Sequence, residues 1–346
     1  MKIAVLTSGG VDSSVALRLL HRQGHDLTAF YLKIWLEDEL SFLGDCPWKE
    51  DLKYLKKICK ELKIPLKIVP LQKEYFDTVV KYTIREVKAG RTPNPDIMCN
   101  NAVKFGLFVK KIGPSFEKIS TGHYAQVIQK KGRYYLKRCP DKIKDQTYFL
   151  ANLKQDQLKR IIFPIGHLTK AEVRSLAKKF KLPNKDRKDS QGICFLGRLR
   201  YRDFIRHYLG ERKGDLVEFE TGKILGHHKG FFYYTIGQRK DIELSNGPWY
   251  VVKKDIKKNI VYISRHYHEK DKPRDTFKVG KFNWFSGKFP IKKTLHVKTR
   301  HGPHLYKCTL KKSGTVRLNK SDQGLAAGQF AVFYDGKTCI GSGVIL

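Results

Sequence analysis

The residues best placed for chemistry near the amino terminus form the run Ser-Gly-Gly-Val-Asp-Ser-Ser, residues 8–14. The run lies between an apolar segment typical of a strand and an amphipathic segment typical of a helix. Two glycines allow a tight turn, and its amides and Ser hydroxyls face a helix start, where phosphate groups bind. No Gly-Lys-Ser/Thr of the Walker type follows. The run therefore predicts a different kind of phosphate site, unless it is a plain strand-to-helix turn with Asp12 as the cap.

Two cysteines stand in polar, turn-forming sequence and are candidates for reactive thiols. Cys99 follows the Pro-rich stretch that begins at Asn94, and Cys194 follows Asp189-Ser-Gln-Gly-Ile. Such surroundings suit a reactive cysteine. In contrast, Cys59 lies on an apolar stripe with helical spacing, which predicts a core position. From the residues alone, a buried and unreactive thiol is the favoured interpretation for Cys99 and Cys194.

The cysteines as a set argue against two common uses. There are seven of them, with no Cys-x-x-Cys pair and no Cys/His cluster that has zinc or iron–sulfur spacing. Neither a disulfide framework nor a structural metal is expected, and reduced thiols are the expected state.

The first half of the chain alternates the elements that must position these residues. Apolar runs predict strands over residues 3–6, 27–32 and 66–71, and amphipathic runs predict helices over residues 12–21, 48–62 and 75–88. This order predicts a parallel sheet covered on both faces, with ligands at the carboxyl ends of its strands. The capping-box spacing of Thr169 and Glu172 predicts another helix.

The pattern changes after about residue 205. Alternating, aromatic and Gly-rich segments predict strands over residues 230–239, 249–252 and 331–334. The second half is therefore expected to be mostly β.

Length and composition predict a multidomain cytoplasmic protein. The chain has 346 residues, of which 41% are hydrophobic. No run approaches the roughly 18 apolar residues of a membrane span, and the amino terminus loses its apolar character too early for a secretory signal. The formal net charge is +36, which favours polyanionic partners. A lysine-rich proteome is the alternative explanation.

The loop and the two cysteines together resemble one family. The run from Ser8 resembles the PP-loop of ATP pyrophosphatases. With other motifs in matching order it resembles the tRNA-specific 2-thiouridylases of the bacterial MnmA type over nearly the whole chain. The motifs beyond the loop are residues 94–100, 122–125, 144–146, 148–150, 163–166, 189–194, 234–240 and 328–329. Two departures are Leu32, where a methionine usually packs on adenine, and His301, where the family usually has tyrosine after arginine.

This resemblance implies an α/β fold with three parts. The expected parts are a PP-loop (adenine nucleotide α-hydrolase-like) parallel-sheet domain over residues 1–205, a small connecting domain over 206–268, and a C-terminal β-barrel-like domain over 269–346. ATP and Mg²⁺ are the implied cofactors, with Asp12 as a Mg²⁺ ligand. The implied nucleotide-binding residues are Leu6, Thr7, Ser8, Gly9, Gly10, Val11, Asp12, Ser13, Leu32 and Gly122.

The resemblance also implies 2-thiolation of the wobble uridine of tRNA. ATP would adenylate the uracil 2-carbonyl oxygen, and Cys194 would carry a persulfide whose sulfur, supplied by a donor protein, reaches the activated carbon. Cys99 would attack Cys194 and leave a transient disulfide. Asp96 would do acid/base work, although capping the next helix is its ordinary role.

The same resemblance places tRNA contacts along the chain. Asn94, Pro95 and Asp96 would contact the flipped uridine, and further contacts are expected from His123, Lys144, Asp145, Gln146, Arg300, His301 and Gln329. The ordinary alternatives are a strand-end histidine for His123 and a solvated lysine for Lys144. Residues 230–240 could form an RNA-stacking surface or a β-domain core with a basic edge.

Two other functions remain open at this point. One is a different PP-loop enzyme, such as a tRNA lysidine or nucleotide amidation enzyme. The other is a basic RNA-binding protein with a vestigial loop.

Overall fold

The first part of the molecule is a five-stranded parallel sheet. A computed structural model describes residues 1–34, 48–189, 201–267, 274–291 and 294–346; the predicted site residue Cys194 lies outside them. The strands are β1 Lys2–Leu6, β2 Asp26–Lys33, β3 Leu66–Pro70, β4 Lys118–Ser120 and β7 Ile161–Ile162, in the order β3-β2-β1-β4-β7. Each neighbouring pair is parallel. The predicted α/β class is confirmed, and the three strands expected there end within one residue of their predicted ends.

Helices cover both faces of this sheet, because each carries an apolar stripe. One face packs on Val11–Arg22, Trp48–Leu62 and Lys170–Lys179, whose buried residues include Leu17, Ile58 and Val173. The other face packs on the remaining helices of this part, which are Gln72–Tyr75, Lys81–Lys88, Pro95–Met98, Phe108–Ile112, Thr147–Leu150, Gln155–Arg160 and Tyr201–Leu209, with a short 3₁₀ turn at Gly113–Ser115.

Two stretches on this second face are π-helical. Phe76–Val80 interrupts the helix predicted over residues 75–88, and Cys99–Leu107 extends the short helix Pro95–Met98. π turns are rare and concentrate at functional sites. The second stretch begins at the candidate thiol Cys99.

The central part is a small four-stranded sheet. Its strands β8 Gly214–Glu218, β9 Ile224–His228, β10 Tyr250–Asp255 and β11 Ile260–Ser264 run in the order β10-β11-β8-β9 around a core that includes Val251 and Ile263.

The strand predicted over residues 230–239 is wrong. This segment forms a 3₁₀ turn, Phe231–Tyr233, followed by further turns. Gly230 and Gly237 have φ values of +143° and +86°, which do not fit a strand. Turn hydrogen bonds from Tyr233 N–H to the Gly230 carbonyl and from Gln238 N–H to the Thr235 carbonyl replace a ladder.

The last part is a closed barrel of six strands. They are β12 Thr276–Trp284, β13 Thr294–Lys298, β14 Tyr306–Leu310, β15 Thr315–Leu318, β16 Phe330–Asp335 and β17 Thr338–Ile345. The order is β12-β15-β14-β13-β16-β17, and β17 pairs again with β12 to close the ring. The predicted barrel-like domain is confirmed.

A hairpin from the first part extends this barrel. Strands β5 Ala125–Lys130 and β6 Arg133–Arg138 pair with each other, and β6 pairs with β17 through Leu136 and Cys339. The sheet therefore crosses from the first part of the chain into the last. Within the described ranges, no helix has the length and apolar character to cross a bilayer.

Candidate functional site

The glycine-rich loop follows β1 and opens the helix Val11–Arg22. Gly9 has φ +72°, and a Cβ there would come within 2.7 Å of the Cα of Asp51. A Cβ on Gly122 would come within 2.7 Å of the Ser13 nitrogen. Both positions require glycine, since real Cβ atoms do not approach that closely. Gly122, at the end of β4, thus packs directly on the loop.

The serine hydroxyls shape the loop from within. Ser13 Oγ and Ser14 Oγ each donate to the Gly10 carbonyl at 3.0 Å, and Ser8 N–H donates to Ser13 Oγ at 3.2 Å. In the described part of the chain, no hydrogen bond is found from the amides of residues 9–13. Amides at the start of a helix that lack partners are the usual donors to phosphate. The backbone, more than the hydroxyls, is therefore available for an anion.

Two side chains that the sequence analysis missed hold the loop from the other side. Asn184 Nδ2 donates to the Gly9 carbonyl at 2.8 Å and to Ser14 Oγ at 2.9 Å. Arg187 donates to the same carbonyl at 3.1 Å and pairs with Asp51 at 2.6 Å. They fix the carbonyl of Gly9 and so keep the loop open for a ligand.

Asp12 lies in an ionic network. Its Oδ1 accepts hydrogen bonds from the Tyr124 hydroxyl at 2.9 Å and from Lys170 Nζ at 2.6 Å. Lys170 also pairs with Asp189 at 2.7 Å, and Lys144 reaches Asp189 at 2.6 Å. Tyr124 belongs to the family motif at residues 122–125, and Lys170 lies inside the capping box of Thr169 and Glu172. The sequence patterns therefore included both residues but did not predict their contact with Asp12.

Asp189 is also bound by Arg174, at 2.6 Å. Burial alone would raise the pKa of this carboxyl, but the hydrogen bonds from Lys144 and Lys170 lower it to about 2. Asp189 is therefore ionised at any physiological pH.

The surroundings of Asp12 fit its predicted role as a Mg²⁺ ligand. Among the described residues, no three His, Cys, Asp or Glu side chains cluster as a protein-only metal site would need. Mg²⁺ in nucleotide sites usually takes one or two carboxylates, with phosphates and water as the other ligands. Both contacts of Asp12 use Oδ1, so Oδ2 is left for a cation. Asp12 therefore suits a single-carboxylate Mg²⁺ site.

The remaining predicted nucleotide residues lie on β1 and β2 or next to the loop in sequence. Leu6 and Val11 are buried, so only their backbones can face a ligand. Thr7 donates through N–H and Oγ1 to the Phe30 carbonyl at 2.9 and 3.1 Å. Leu32 is half-buried on β2 and packs against the core.

The segment that carries Cys99 begins with a helix cap. Asn94 Oδ1 accepts from Ile97 N–H at 3.2 Å and Pro95 is the first residue of the helix. Asn94 is therefore the cap, and the ordinary capping role considered for Asp96 is not what the structure shows. Asp96 is half-buried.

Cys99 lies in the apolar core. Its residue is 1% exposed, in the core cluster with Ile97 and Val103, which agrees with what its neighbours in the sequence favour on their own. Its reactive role is implied by the resemblance alone. The π-helical stretch also buries Asn100, Val103 and Phe105. The described residues contain no disulfide.

Gln329 ties the barrel to this segment. Its Nε2 donates to the carbonyls of Thr92 and Pro93 at 3.1 and 2.9 Å. Its Oε1 accepts from Tyr148 at 3.2 Å and from Asn94 at 3.4 Å. A contact expected for tRNA is thus used inside the protein.

The predicted contacts at residues 144–146 point in three directions. Lys144 binds Asp189, as described. Gln146 Oε1 accepts from Tyr124 N–H at 2.9 Å. Asp145 is 0% exposed, so its side chain lies inside the protein, and its contact with tRNA stays a prediction.

Asp145 instead forms a buried ionic pair with the barrel. Its Oδ2 accepts from Lys298 Nζ at 2.9 Å and from Arg138 Nε at 2.7 Å, and Lys298 is also 0% exposed. Burial alone would raise the pKa of Asp145, but Lys298 lowers it. This pair spans the joint between the first and last parts of the chain.

His123 is a half-buried ring between Phe105 and Phe163. Its Nδ1 lies 2.6 Å from Thr121 Oγ1. Burial and the nearby Lys104 ammonium lower the pKa of His123 well below its usual value, so the ring is neutral at physiological pH.

The pair at positions 300 and 301 is accessible. The side chain of Arg300 is 52% exposed and binds Asp322 at 2.9 Å. His301 is exposed and lies against Phe149, with ring centroids 4.4 Å apart and planes at 30°. Phe149 is half-buried and adjoins Tyr148, so a partly exposed aromatic pair of His301 and Phe149 lies next to the Gln329 contacts.

The chain matches three family models in series. One described as a tRNA methyl transferase HUP domain matches residues 1–198. One described as a tRNA methyl transferase PRC-barrel domain matches residues 202–265. One described as an aminomethyltransferase beta-barrel domain matches residues 274–345.

Curated relatives align along the full length. The tRNA-specific 2-thiouridylase MnmA of Parabacteroides distasonis is 46% identical over 355 residues, covering 100% of this chain and 99% of the relative. The protein of that name from Porphyromonas gingivalis is 44% identical over 358 residues, with the same coverage. A solved structure, the U34-tRNA thiolase NcsA from Methanococcus maripaludis, shows 20% identity over 56% of this chain and 62% of that chain, with a TM-score of 0.35. That score is too low to support any argument.

Proposed function

This chain belongs to the family of tRNA-specific 2-thiouridylases, and we propose that it thiolates the 2-position of the wobble uridine of tRNA at the expense of ATP. The observation that carries the proposal is full-length similarity to relatives of that name, in a chain whose glycine-rich loop leaves its amides available to phosphate. The products would be 2-thiouridine in tRNA, AMP and pyrophosphate.

Adenylation comes first, because a uracil 2-carbonyl oxygen is a poor leaving group. The loop amides and Asp12 would hold the β- and γ-phosphates while the uracil oxygen attacks the α-phosphorus. Mg²⁺ held by Asp12 would offset the charge of the triphosphate. Leu32, half-buried on β2, would pack on the adenine.

Sulfur transfer follows on two thiols. Cys194 would carry the sulfur as a persulfide, whose terminal sulfur bonds to the activated carbon. Cys99 as thiolate would then attack the Cys194 sulfur, breaking the S–S bond to the transferred sulfur, and AMP would leave. The result is a Cys99–Cys194 disulfide that an external thiol reduces. Asp96, three residues before Cys99, is the candidate for moving a proton in this step.

The tRNA would enter between the first part and the barrel. Flipping the wobble base from an anticodon loop costs little, since the loop is single-stranded. Asn94 and Pro95 would line the site of the flipped uridine. Arg300 and the aromatic pair of His301 with Phe149 are placed to meet the neighbouring backbone and bases. A sulfur-donor protein and a cytoplasmic location complete the proposal, with domain boundaries near residues 205 and 268.

Methyl transfer, which the descriptions of two family models mention, is the other candidate. It is less favoured, because the full-length relatives are named thiouridylases and the loop suits a nucleoside triphosphate. Unmodified tRNA incubated with the protein, ATP, Mg²⁺ and a persulfide source should yield 2-thiouridine on mass analysis of its nucleosides. Formation of methylated uridine when a methyl donor is supplied, or of lysidine when lysine is supplied, would contradict the proposal.

A further inference from the structure

Lys170 is a cation whose ammonium contacts the carboxylate of Asp12 in the glycine-rich loop. It is the first residue of the helix Lys170–Lys179, and its backbone N–H donates to Asp141 at 3.2 Å. Its ammonium reaches Asp12 at 2.6 Å and Asp189 at 2.7 Å. The side chain is 15% exposed, so a ligand in the loop would meet it with little competing water.

The other cations near the loop have carbonyl groups or other carboxylates as partners. Arg187 binds Asp51 and the Gly9 carbonyl. Arg174 binds the carbonyls of Lys185 and Arg187 as well as Asp189, and Lys144 binds Asp189. Among these four cations, Lys170 makes the one contact with a carboxylate of the loop.

Three cations, Lys144, Lys170 and Arg174, pair with the carboxylates of Asp12 and Asp189. The carboxylate of Asp141 adjoins them and accepts from the backbone N–H groups of Lys144 and Lys170. The Lys170 ammonium, on Asp12, lies beside loop amides that have no partner in the described part of the chain. A polyphosphate is the class of ligand that this combination suits.

We propose that Lys170 binds the β,γ-phosphates of ATP and then the pyrophosphate product. The inference rests on the proposed adenylation. In that step the bond from the uracil oxygen to the α-phosphorus forms, and the bond from the α-phosphorus to the bridging oxygen breaks. Pyrophosphate leaves with the electron pair. The side chain of Lys170 stabilises the charge that develops on this leaving group.

The test compares pyrophosphate with AMP as ligands of the full-length protein. Calorimetric titrations in the presence of Mg²⁺ should show Lys170→Met binding pyrophosphate at least tenfold more weakly, about 1.4 kcal/mol, with AMP affinity unchanged. Lys178→Met, in the exposed last turn of the same helix, is the matched control and should bind both ligands normally. Unchanged pyrophosphate affinity in Lys170→Met, or an equal loss for AMP, would overturn the assignment.

A second variant separates direct binding from charge balance. If Lys170 only neutralises Asp189, then Lys170→Met combined with Asp189→Asn should regain pyrophosphate affinity, and the proposal fails. If Lys170 contacts the ligand, the double variant stays weak. Wild-type protein that binds neither ATP nor pyrophosphate would refute the proposed nucleotide site itself. That failure is seen in the wild-type protein, whereas failure of the Lys170 assignment is seen only in the variants.

Discussion

At the scale of the residue, the burial of Cys99 bears directly on its proposed chemistry. Its residue is 1% exposed within the apolar core, so a thiol there reacts with a partner brought to it and not with reagents in bulk solvent. Buried cysteines are ordinarily unreactive, so the proposed resolving role requires that the persulfide on Cys194 reach Cys99 within the protein. Burial also protects the thiol from oxidation between turnovers.

The two thiols should therefore fail in different ways when changed. We expect Cys194→Ser to carry no persulfide and to make no 2-thiouridine. Cys99→Ser should still be loaded with sulfur on Cys194 and should stall before releasing it, because nothing attacks the S–S bond. Mass spectrometry of the loaded protein and of tRNA nucleosides distinguishes the two.

Cys59→Ser, which changes a thiol on the buried stripe of Trp48–Leu62, serves as the control for general damage. Persulfide trapped on Cys99 would reverse the roles.

At the scale of the element, the strand–loop–helix unit contains two glycines that differ in the space around them. Gly9 and Gly24 share the same backbone conformation, with φ of +72° and +73°, but only Gly9 has a backbone within 3 Å of its would-be Cβ. Gly9→Ala should abolish ATP binding, since Asp51 and the loop would have to separate. Gly24→Ala pays the same conformational cost at an open position and should keep ATP affinity. Titration of both variants with ATP, beside their free energies of unfolding, checks this. Equal ATP affinity in the two would show that the loop tolerates movement.

Apolar periodicity was sufficient to predict these elements where the contacts are local. The strand predicted over residues 3–6 and the helix predicted over residues 12–21 match Lys2–Leu6 and Val11–Arg22, because each element shows its buried face in its own spacing. The capping box at Thr169 is also present, with Glu172 Oε2 accepting from Thr169 N–H at 2.6 Å. Local side-chain chemistry determined these features.

Elements that depend on distant partners were not predictable in this way. The hairpin β5–β6 pairs with a strand about 200 residues later in the chain, through Leu136 and Cys339. Asp145 reads as a polar residue next to Lys144, and only the fold brings Lys298 to it. The π turn at Cys99 has no periodic signature of its own. In the candidate site, the loop was predictable from its residues, whereas the Asn184, Arg187 and Lys170 contacts were not.

At the scale of the whole molecule, the buried Asp145–Lys298 pair joins the barrel to the first part of the chain. We expect Asp145→Asn to lower the free energy of unfolding by about 3–5 kcal/mol, because it leaves a buried ammonium without its counter-charge. Lys298→Met added to that change should recover much of the loss. Asp77→Asn, which removes an exposed partner of Lys81, should have no measurable effect. Chemical denaturation measures all three, and a small loss for Asp145→Asn would mean that the fold accommodates the buried Lys298 without this counter-charge.

The same joint makes truncation a poor way to ask what the barrel does. The barrel residues Phe330, Val332 and Tyr334 belong to the same core cluster as Val103 and Phe108. Removal of the barrel would expose that shared core, so a loss of tRNA binding would not identify a binding surface. Point changes at exposed charges are the better probe.

The net charge of +36 makes the salt dependence of tRNA binding the last test. Arg300 is half exposed beside the aromatic pair, whereas Arg317 is 75% exposed on β15. If Arg300 neutralises a phosphate, Arg300→Ala should weaken binding and reduce the slope of log K against log salt by about 1. Arg317→Ala removes the same charge from β15, whereas Arg300 follows β13, and it should leave the slope unchanged. Binding measured from about 50 to 200 mM salt is informative, since a protein with about 6–10 phosphate contacts loses roughly 10³–10⁵ in affinity over that range. Equal slopes for wild type and both variants would assign the positive charge of the barrel to overall composition and not to an RNA-binding surface.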